Sequence, residues 1–218
     1  MPRIETTERT FFKFDELTDT AKEKAREWWR DCENQSGDTF WSEYVIEDFA
    51  TICGLLGLDI KRYPPVRTMG GETRHKPSVY WSGFWSQGDG ACFEGYYSYE
   101  KGSVKAIRDH APDDADLVAI AERLRSVQAK YFFKLNATIK HTGCYYHEHS
   151  MSIEVEHDEQ PYLGLGDAED EVKDCLRDLA RWLYRALERE YSHVMSDESV
   201  DESIRINEYE FDEEGNIA

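Results

Sequence analysis

Long apolar runs are missing from this sequence. None approaches the ~18–20 residues that a membrane-crossing helix needs, so no helical span is expected. The N-terminus, Met1-Pro-Arg-Ile-Glu, has no apolar signal core, and secretion by that route is not expected. Cysteines are few and show no pairing pattern. Cys32, Cys53, Cys92, Cys144 and Cys175 are odd in number and far apart, and no two form a CxxC. That excludes a zinc knuckle or a thioredoxin motif and suits buried, reduced thiols in a reducing compartment. Also absent are the Gly-x-Ser-x-Gly elbow, His-Glu-x-x-His, the phosphate-binding Gly-x-x-x-x-Gly-Lys-Ser/Thr loop and a dinucleotide fingerprint. No nucleophile with an activating base can be named, and the expectation is a non-enzyme without a cofactor. Positive charge is scarce: 26 Lys+Arg stand against 45 Asp+Glu, net −19. So acidic a chain is poorly matched to nucleic acid or to an anionic membrane.

The chain does hold enough apolar material for a core. Hydrophobic residues make up 40% of it and aromatics 13%, which excludes global disorder despite the charge. With 218 residues, no Ser/Gly-rich linker and no internal repeat, it reads as a single domain spanning 1–218. The expected class is α+β: an antiparallel sheet built from two hairpins plus edge strands, packed against about four helices, with an acidic C-terminal helix and edge strand over 166–218.

The first helix follows Phe11-Phe12-Lys13-Phe14. Thr20 and Glu23 stand at capping-box spacing, and Ala21, Ala25, Trp28, Trp29 and Cys32 recur at helical intervals. Asn34 to Asp38 reads as a break. A second helix covers about Phe40 to Leu56, with Trp41, Tyr44, Val45, Phe49, Ile52, Cys53 and Leu56 as its apolar stripe and Gly57 as its stop. Leu58 to Tyr63 is a short strand. Residues 64–77 form a loop whose charges (Arg67, Glu72, Arg74, His75, Lys76) are mostly basic; it is either a solvated loop or a local contact surface. Lys101 to Ala111 has no clear assignment. A third helix follows Pro112, with Asp113, Asp114 and Asp116 at the positive end of its dipole. The longest helix runs from Asp167 to Val194, with Arg177, Arg181, Arg185 and Arg189 repeating along one side. Ser203 to Phe211 alternates like an edge strand.

Two hairpins are expected between the helices. In the first, over 78–99, Gln87-Gly-Asp-Gly90 makes the turn, so that Ser86 opposes Ala91, Phe84 opposes Phe93 and Trp81 opposes Tyr96. In the second, over Tyr131–Asp158, Thr142-Gly-Cys144 makes the turn. His141 then opposes Tyr145, Ile139 opposes His147, Ala137 opposes His149 and Leu135 opposes Met151. That register puts the apolar set on one face and Lys134, Asn136, Thr138 and Lys140, beside Glu148, Ser150, Ser152 and Glu154, on the other.

Charge is the most informative feature. Residues 166–218 hold 17 acids and six bases, net −11, more than half of the total on a quarter of the chain. Crowding of this kind repels itself; it serves either solubility or a basic partner. Carboxylates in a row could imitate the charge density of DNA, one charge per ~1.7 Å of axis. The candidates are Asp197, Glu198, Asp201, Glu202, Glu208, Glu210, Asp212, Glu213 and Glu214. A second candidate surface is the aromatic hairpin, with Trp81, Trp85, Asp89 and Glu94, since aromatics anchor interfaces or simply fill cores. His141, His147 and His149 are either structural histidines or, with a further ligand, a metal or catalytic site. Gly88-Asp-Gly90 is either a turn or a small anion nest.

Phe14-Asp-Glu-Leu-Thr-Asp-Thr-Ala-Lys-Glu-Lys-Ala-Arg-Glu-Trp-Trp-Arg30, Trp81-Ser-Gly-Phe-Trp-Ser-Gln-Gly-Asp-Gly-Ala-Cys-Phe-Glu-Gly95 and His141-Thr-Gly-Cys-Tyr-Tyr-His-Glu-His-Ser-Met151 together resemble small acidic accessory proteins of tailed phages and prophages, some loosely labelled antitoxin-like. The resemblance covers about the first 155 residues and brings no catalytic residues with it. It implies a protein of the bacterial host cytoplasm that counters host defence or modulates a host enzyme. The expected function is therefore a non-enzymatic inhibitor that presents carboxylates to the basic groove of a host protein or ribonucleoprotein complex, without touching nucleic acid or membrane itself. The alternatives are an antitoxin-like protein masking a toxin through the aromatic hairpin, and a metal-dependent enzyme. Pairing of two copies through an exposed strand edge is compatible with the pattern.

Overall fold

The computed structural model describes residues 9–36, 40–64, 66–67, 73–74, 76–160 and 164–218. In chain order these form β1 (Phe12–Lys13), a 3-10 turn (Phe14–Glu16), α1 (Asp19–Ser36), α2 (Phe40–Leu56), β2 (Leu58–Ile60), β3 (Val66–Arg67), β4 (Thr73–Arg74), β5 (Val79–Ser82), β6 (Gly90–Phe93) and β7 (Gly95–Ser98). Then follow α3 (Ser103–His110), α4 (Ala115–Lys130), β8 (Leu135–His141), a 3-10 turn (Glu148–Ser150), β9 (Met151–His157), α5 (Asp167–Val194), α6 (Asp197–Ile206) and β10 (Glu210–Phe211). The class is α+β with antiparallel pairing throughout. Among the described residues no helix is long and apolar enough to cross a membrane. The chain divides into two compact units, Ser42–Glu188 and the described residues up to Trp41 together with Arg189–Ala218.

In the larger unit, β2, β7, β8 and β9 form a four-stranded sheet in that order, while β5–β6 and β3–β4 are separate ribbons. Alternation sorts the sheet's side chains. Leu58, Ile60, Tyr97, Leu135, Ala137, Ile139, Met151 and Ile153 are buried on one face. Ile52 and Leu56 of α2, Leu124 of α4 and Leu176 and Leu183 of α5 are buried as well, in a core where Phe49 lies 5.4 Å from the Phe93 ring. Gln128 is a wholly buried polar residue inside this core. Its amide donates to the Leu135 carbonyl (2.7 Å) and the Tyr97 hydroxyl (3.3 Å), and its oxygen accepts from the Leu135 N–H (3.1 Å). One side chain thus satisfies both backbone groups of the first β8 residue, which a buried strand end must have satisfied.

The smaller unit packs Phe14, Leu17, Ala21 and Ala25 against Val200, Ile204 and Phe211. Trp28 stands edge-on to both Tyr209 (5.1 Å) and Phe211 (5.8 Å). Arg26 bonds both oxygens of Asp201, at 2.6 and 2.9 Å.

Several expectations need correction. In the first hairpin Val79 pairs with Phe93, Tyr80 with Cys92, Trp81 with Ala91 and Ser82 with Gly90, across a longer turn over 83–89. Trp81 therefore does not face Tyr96. The chain breaks at Glu94, and β7 leaves for the four-stranded sheet, where Gly95 lies so close to Asp59 that a Cβ would sit 2.5 Å from its carbonyl oxygen. In the second hairpin Leu135 pairs with His157, Ala137 with Val155, Ile139 with Ile153 and His141 with Met151. The register moves by six residues relative to the tight-turn reading because 142–150 forms a long loop ending in a 3-10 turn. Six is even, so every β8 residue keeps its face. Lys101–Ala111 contains α3. The tail is mostly helical: Ser196 caps α6, accepting from the Ser199 N–H, and Val200 and Ile204 are buried one turn apart; only Glu210–Phe211 is a strand. At α1 the side chain that accepts the first-turn N–H is Thr18, from Ala21 at 3.3 Å, and not Thr20. Tyr44 is 78% exposed and does not join the α2 stripe. All five thiols are free; Cys53, Cys92 and Cys175 are buried as expected, but Cys32 and Cys144 are exposed. The break near Gly37 and the loop residues Glu72 and His75 lie outside the described residues, as do the side chains of Arg67 and Arg74.

Candidate functional site

The solvent face of the four-stranded sheet carries a row of polar and acidic side chains. Pairing aligns Asp59, Tyr96, Thr138 and Glu154 in one row across the four strands, and Ser98, Asn136 and Glu156 in the next. Tyr96 stands in the middle, 47% exposed. Beside it a hollow of about 120 Å³ is lined by Asn136, Thr138, Glu154, Glu156 and Asp158. Asn136 donates to Asp158 at 3.1 Å, while Asp59, Glu154 and Glu156 make no ion pair among the described residues. Burial raises the Tyr96 hydroxyl pKa, and the charges of Asp158 and Glu156 add to it. A phenol ring ringed by carboxylates attracts cations to its face and to its rim.

The nine C-terminal acids, all in the smaller unit, divide into two sets. Asp201 is held by Arg26, and Asp197 by Arg30, whose guanidinium also donates to the Met195 carbonyl. Glu210 pairs with Lys13 (3.1 Å) and Glu214 with Lys24 (3.7 Å). Asp212 closes the turn to Asn216, accepting from the backbone N–H groups of Glu214 and Asn216 and from the Asn216 amide. Glu198, Glu202, Glu208 and Glu213 make no side-chain ion pair among the described residues. The dense block is thus half neutralised by bases scattered along the N-terminal segment. That pairing spans more than 150 positions of the chain and leaves no local mark in it.

The aromatic hairpin presents Trp85 at 78% exposure on a hydrogen-bonded turn. Asp89 accepts from the Trp85 (3.1 Å) and Ser86 (2.6 Å) N–H groups, and the Tyr184 hydroxyl donates to the Gly83 carbonyl (2.9 Å). Trp81 stacks on Phe84 at 5.6 Å, and Phe84 packs near Tyr184. The Gly88-Asp-Gly90 segment is this turn, with Asp89 spent on its own backbone, and Tyr145 covers Gly88. Glu94 bonds Lys61 (2.7 Å) and accepts from the His141 N–H (3.2 Å).

The histidines are parted by the longer loop. His141 ends β8, its Nε2 bonding the Tyr145 carbonyl at 3.0 Å beside the Tyr80 and Tyr146 rings. His147 caps the 3-10 turn, its Nδ1 accepting from the His149 N–H at 3.0 Å. His149 lies 3.7 Å from Glu148, which bonds Arg181. Among the described residues no group of three or more His, Cys, Asp or Glu side chains is placed to hold a metal ion.

Two carboxyls of the larger unit are held below their ordinary range. Burial raises Glu94, but Lys61 and the His141 N–H outweigh it and hold the carboxyl below its ordinary 4.5. Burial likewise raises Glu148, and its own backbone N–H and Arg181 outweigh that. A group whose folded value is depressed stabilises the fold at pH above its unfolded value, and this is lost as pH falls through the folded one. Melting midpoints should therefore fall with acidification below about pH 4.5, and fall less steeply in Glu94→Gln. An identical slope in the two proteins would show that Glu94 contributes nothing to it.

The fold and its surfaces define an acidic α+β protein with an open, carboxylate-lined sheet face. A family model described as Domain of unknown function (DUF8835) matches residues 41–197, and the chain belongs to that family. No curated protein and no solved structure matches the chain.

Proposed function

We infer that the protein is a non-enzymatic binding protein that engages a basic surface of a partner through carboxylates. The observation that carries this reading is the sheet face around Tyr96, where Asp59, Glu154 and Glu156 stand uncompensated in register. A lysine or arginine side chain laid on that face meets the phenol ring and a charge-assisted acceptor at once. On the C-terminal segment the carboxylates left to contribute are Glu198, Glu202, Glu208 and Glu213. The resemblance to phage accessory proteins directs the reading toward a bacterial defence or nucleic-acid-processing complex, whose basic groove the carboxylates would occlude in place of DNA.

The test is binding to an arginine-rich peptide at two salt concentrations. Glu154→Gln with Glu156→Gln should weaken binding about tenfold, roughly 1.4 kcal/mol. It should also flatten the salt dependence, because exposed charges are screened over ~8 Å at physiological salt. Affinity and salt slope that match the parent's would reject the sheet face; the same change on neutralising only the four C-terminal glutamates would move the site there.

The clamped, exposed Trp85 favours a second reading, an antitoxin-like mask that seats an aromatic anchor on its toxin. In that case Trp85→Ala would cost ~2 kcal/mol or more of binding, and the sheet-face variant would cost none.

A further inference from the structure

We propose that the corner where α4 ends and α5 begins is a self-association surface: Phe132 of one copy enters the groove beside α4 of a second copy and receives that copy's Phe132 in return. Three observations within the larger unit lead there. The first is backbone strain. Phe132 and Phe133 both adopt left-handed conformations, with φ of 53° and 60°. The Phe133 N–H bonds the Gln128 carbonyl at 2.8 Å, the closure of a helix end at which glycine ordinarily takes the left-handed position. Phe133 gains a ring contact with Tyr99 at 4.4 Å. Phe132 is 83% exposed and has no ring or cation partner among the described residues. Strain that the fold leaves uncompensated points to a use outside it.

The second observation is a receptor for that ring. A groove of about 500 Å³ is floored by Val127, Tyr131, Leu165 and Ala168. Tyr131 lines this groove and precedes Phe132 in the chain, so knob and hole lie on one patch, the arrangement an isologous contact about a two-fold axis uses.

The third is charge. Arg123 and Glu171 on the rim pair with each other at 2.7 Å, while Lys130 and Asp167 make no ion pair among the described residues. The rim is therefore balanced in a chain of net −19, and its two uncompensated charges are of opposite sign. A two-fold axis passing between the two residues would set each Lys130 against the Asp167 of the other copy, whereas a polyanion or a polycation would meet like charge at one of them. The occupant that this pattern fits is a second copy.

Sedimentation of the full chain over a wide concentration range tests the proposal. The parent should show a reversible monomer–dimer equilibrium. In Phe132→Gly the dimer dissociation constant should rise at least about tenfold. The same variant should melt about 2–4 °C higher at dilutions where the parent is monomeric, since glycine relieves the strain. Lys130→Asp and Asp167→Lys should each weaken the dimer alone and restore it when mixed with one another. A parent that stays monomeric at every concentration overturns the proposal. So does a Phe132→Gly protein that dimerises like the parent, or a mixture of the two charge variants that fails to recover association.

Discussion

Gln128→Ala should lower the free energy of unfolding by about 3–5 kcal/mol. The substitution removes partners from the Leu135 N–H, the Leu135 carbonyl and the Tyr97 hydroxyl together. Each buried polar group left unpaired costs about 1–3 kcal/mol, and the space the side chain vacates adds to that. Gln128, Leu135 and Tyr97 are all buried, so bulk solvent does not reach the groups left unpaired. Gln128→Glu should also be destabilising, since the carboxylate accepts from the Leu135 N–H but cannot donate to the Leu135 carbonyl, and it buries a charge. Denaturant unfolding measures both. A cost below about 1 kcal/mol for Gln128→Ala would mean that α4 and β8 do not depend on this residue for satisfaction.

The second large effect belongs to Gly57, where α2 ends. Its φ is +84°, and a Cβ there would stand 2.1 Å from the Ser98 carbonyl oxygen. Gly57 also accepts the Ser98 N–H at 2.9 Å, which joins the start of β2 to the end of β7. Gly57→Ala imposes a left-handed cost of about 1–2 kcal/mol and forces the backbone apart at the sheet edge, for a total of about 2–4 kcal/mol. Hydrogen exchange should show faster opening of Leu58–Ile60 in that variant. Unchanged stability would mean that the edge strand can shift outward at no cost.

What the sequence made legible was what depends on period and on strong punctuation. The limits of α2 and α5 follow from apolar spacing and from Gly57, and the two faces of β8 follow from strict alternation. Register was not legible, because the turn could not be located: Thr142-Gly-Cys144 offers a tight reversal, yet Ser150 bonds the His147 carbonyl (2.7 Å) and the Thr142 hydroxyl reaches the Ser150 carbonyl (3.1 Å), holding a wider loop together. The tail reads as a strand because Ile204 and Ile206 alternate; the helix that forms instead depends on Ser196 as a cap and on burial of Val200, which only the folded unit supplies. At the candidate sites the acids were visible but not their partners. Arg26 and Arg30 lie far from Asp197 and Asp201 in the chain, so nothing local marked half of the C-terminal block as neutralised. Glu154 was legible as outward-facing, whereas its alignment with Tyr96 and Asp59 required the order of the strands. Phe132 carried no signal at all, since Tyr131-Phe132-Phe133 reads as the opening of a strand.

The most direct test of carboxylate-driven recognition maps where a basic ligand sits. Backbone amide shifts recorded during titration with an arginine-rich peptide should concentrate at Tyr96, Asn136–Lys140 and Ser152–Glu156, and should recede as salt is added. Perturbations confined to the turn around Trp85, or shifts indifferent to salt, would contradict the assignment of binding to the acidic sheet face.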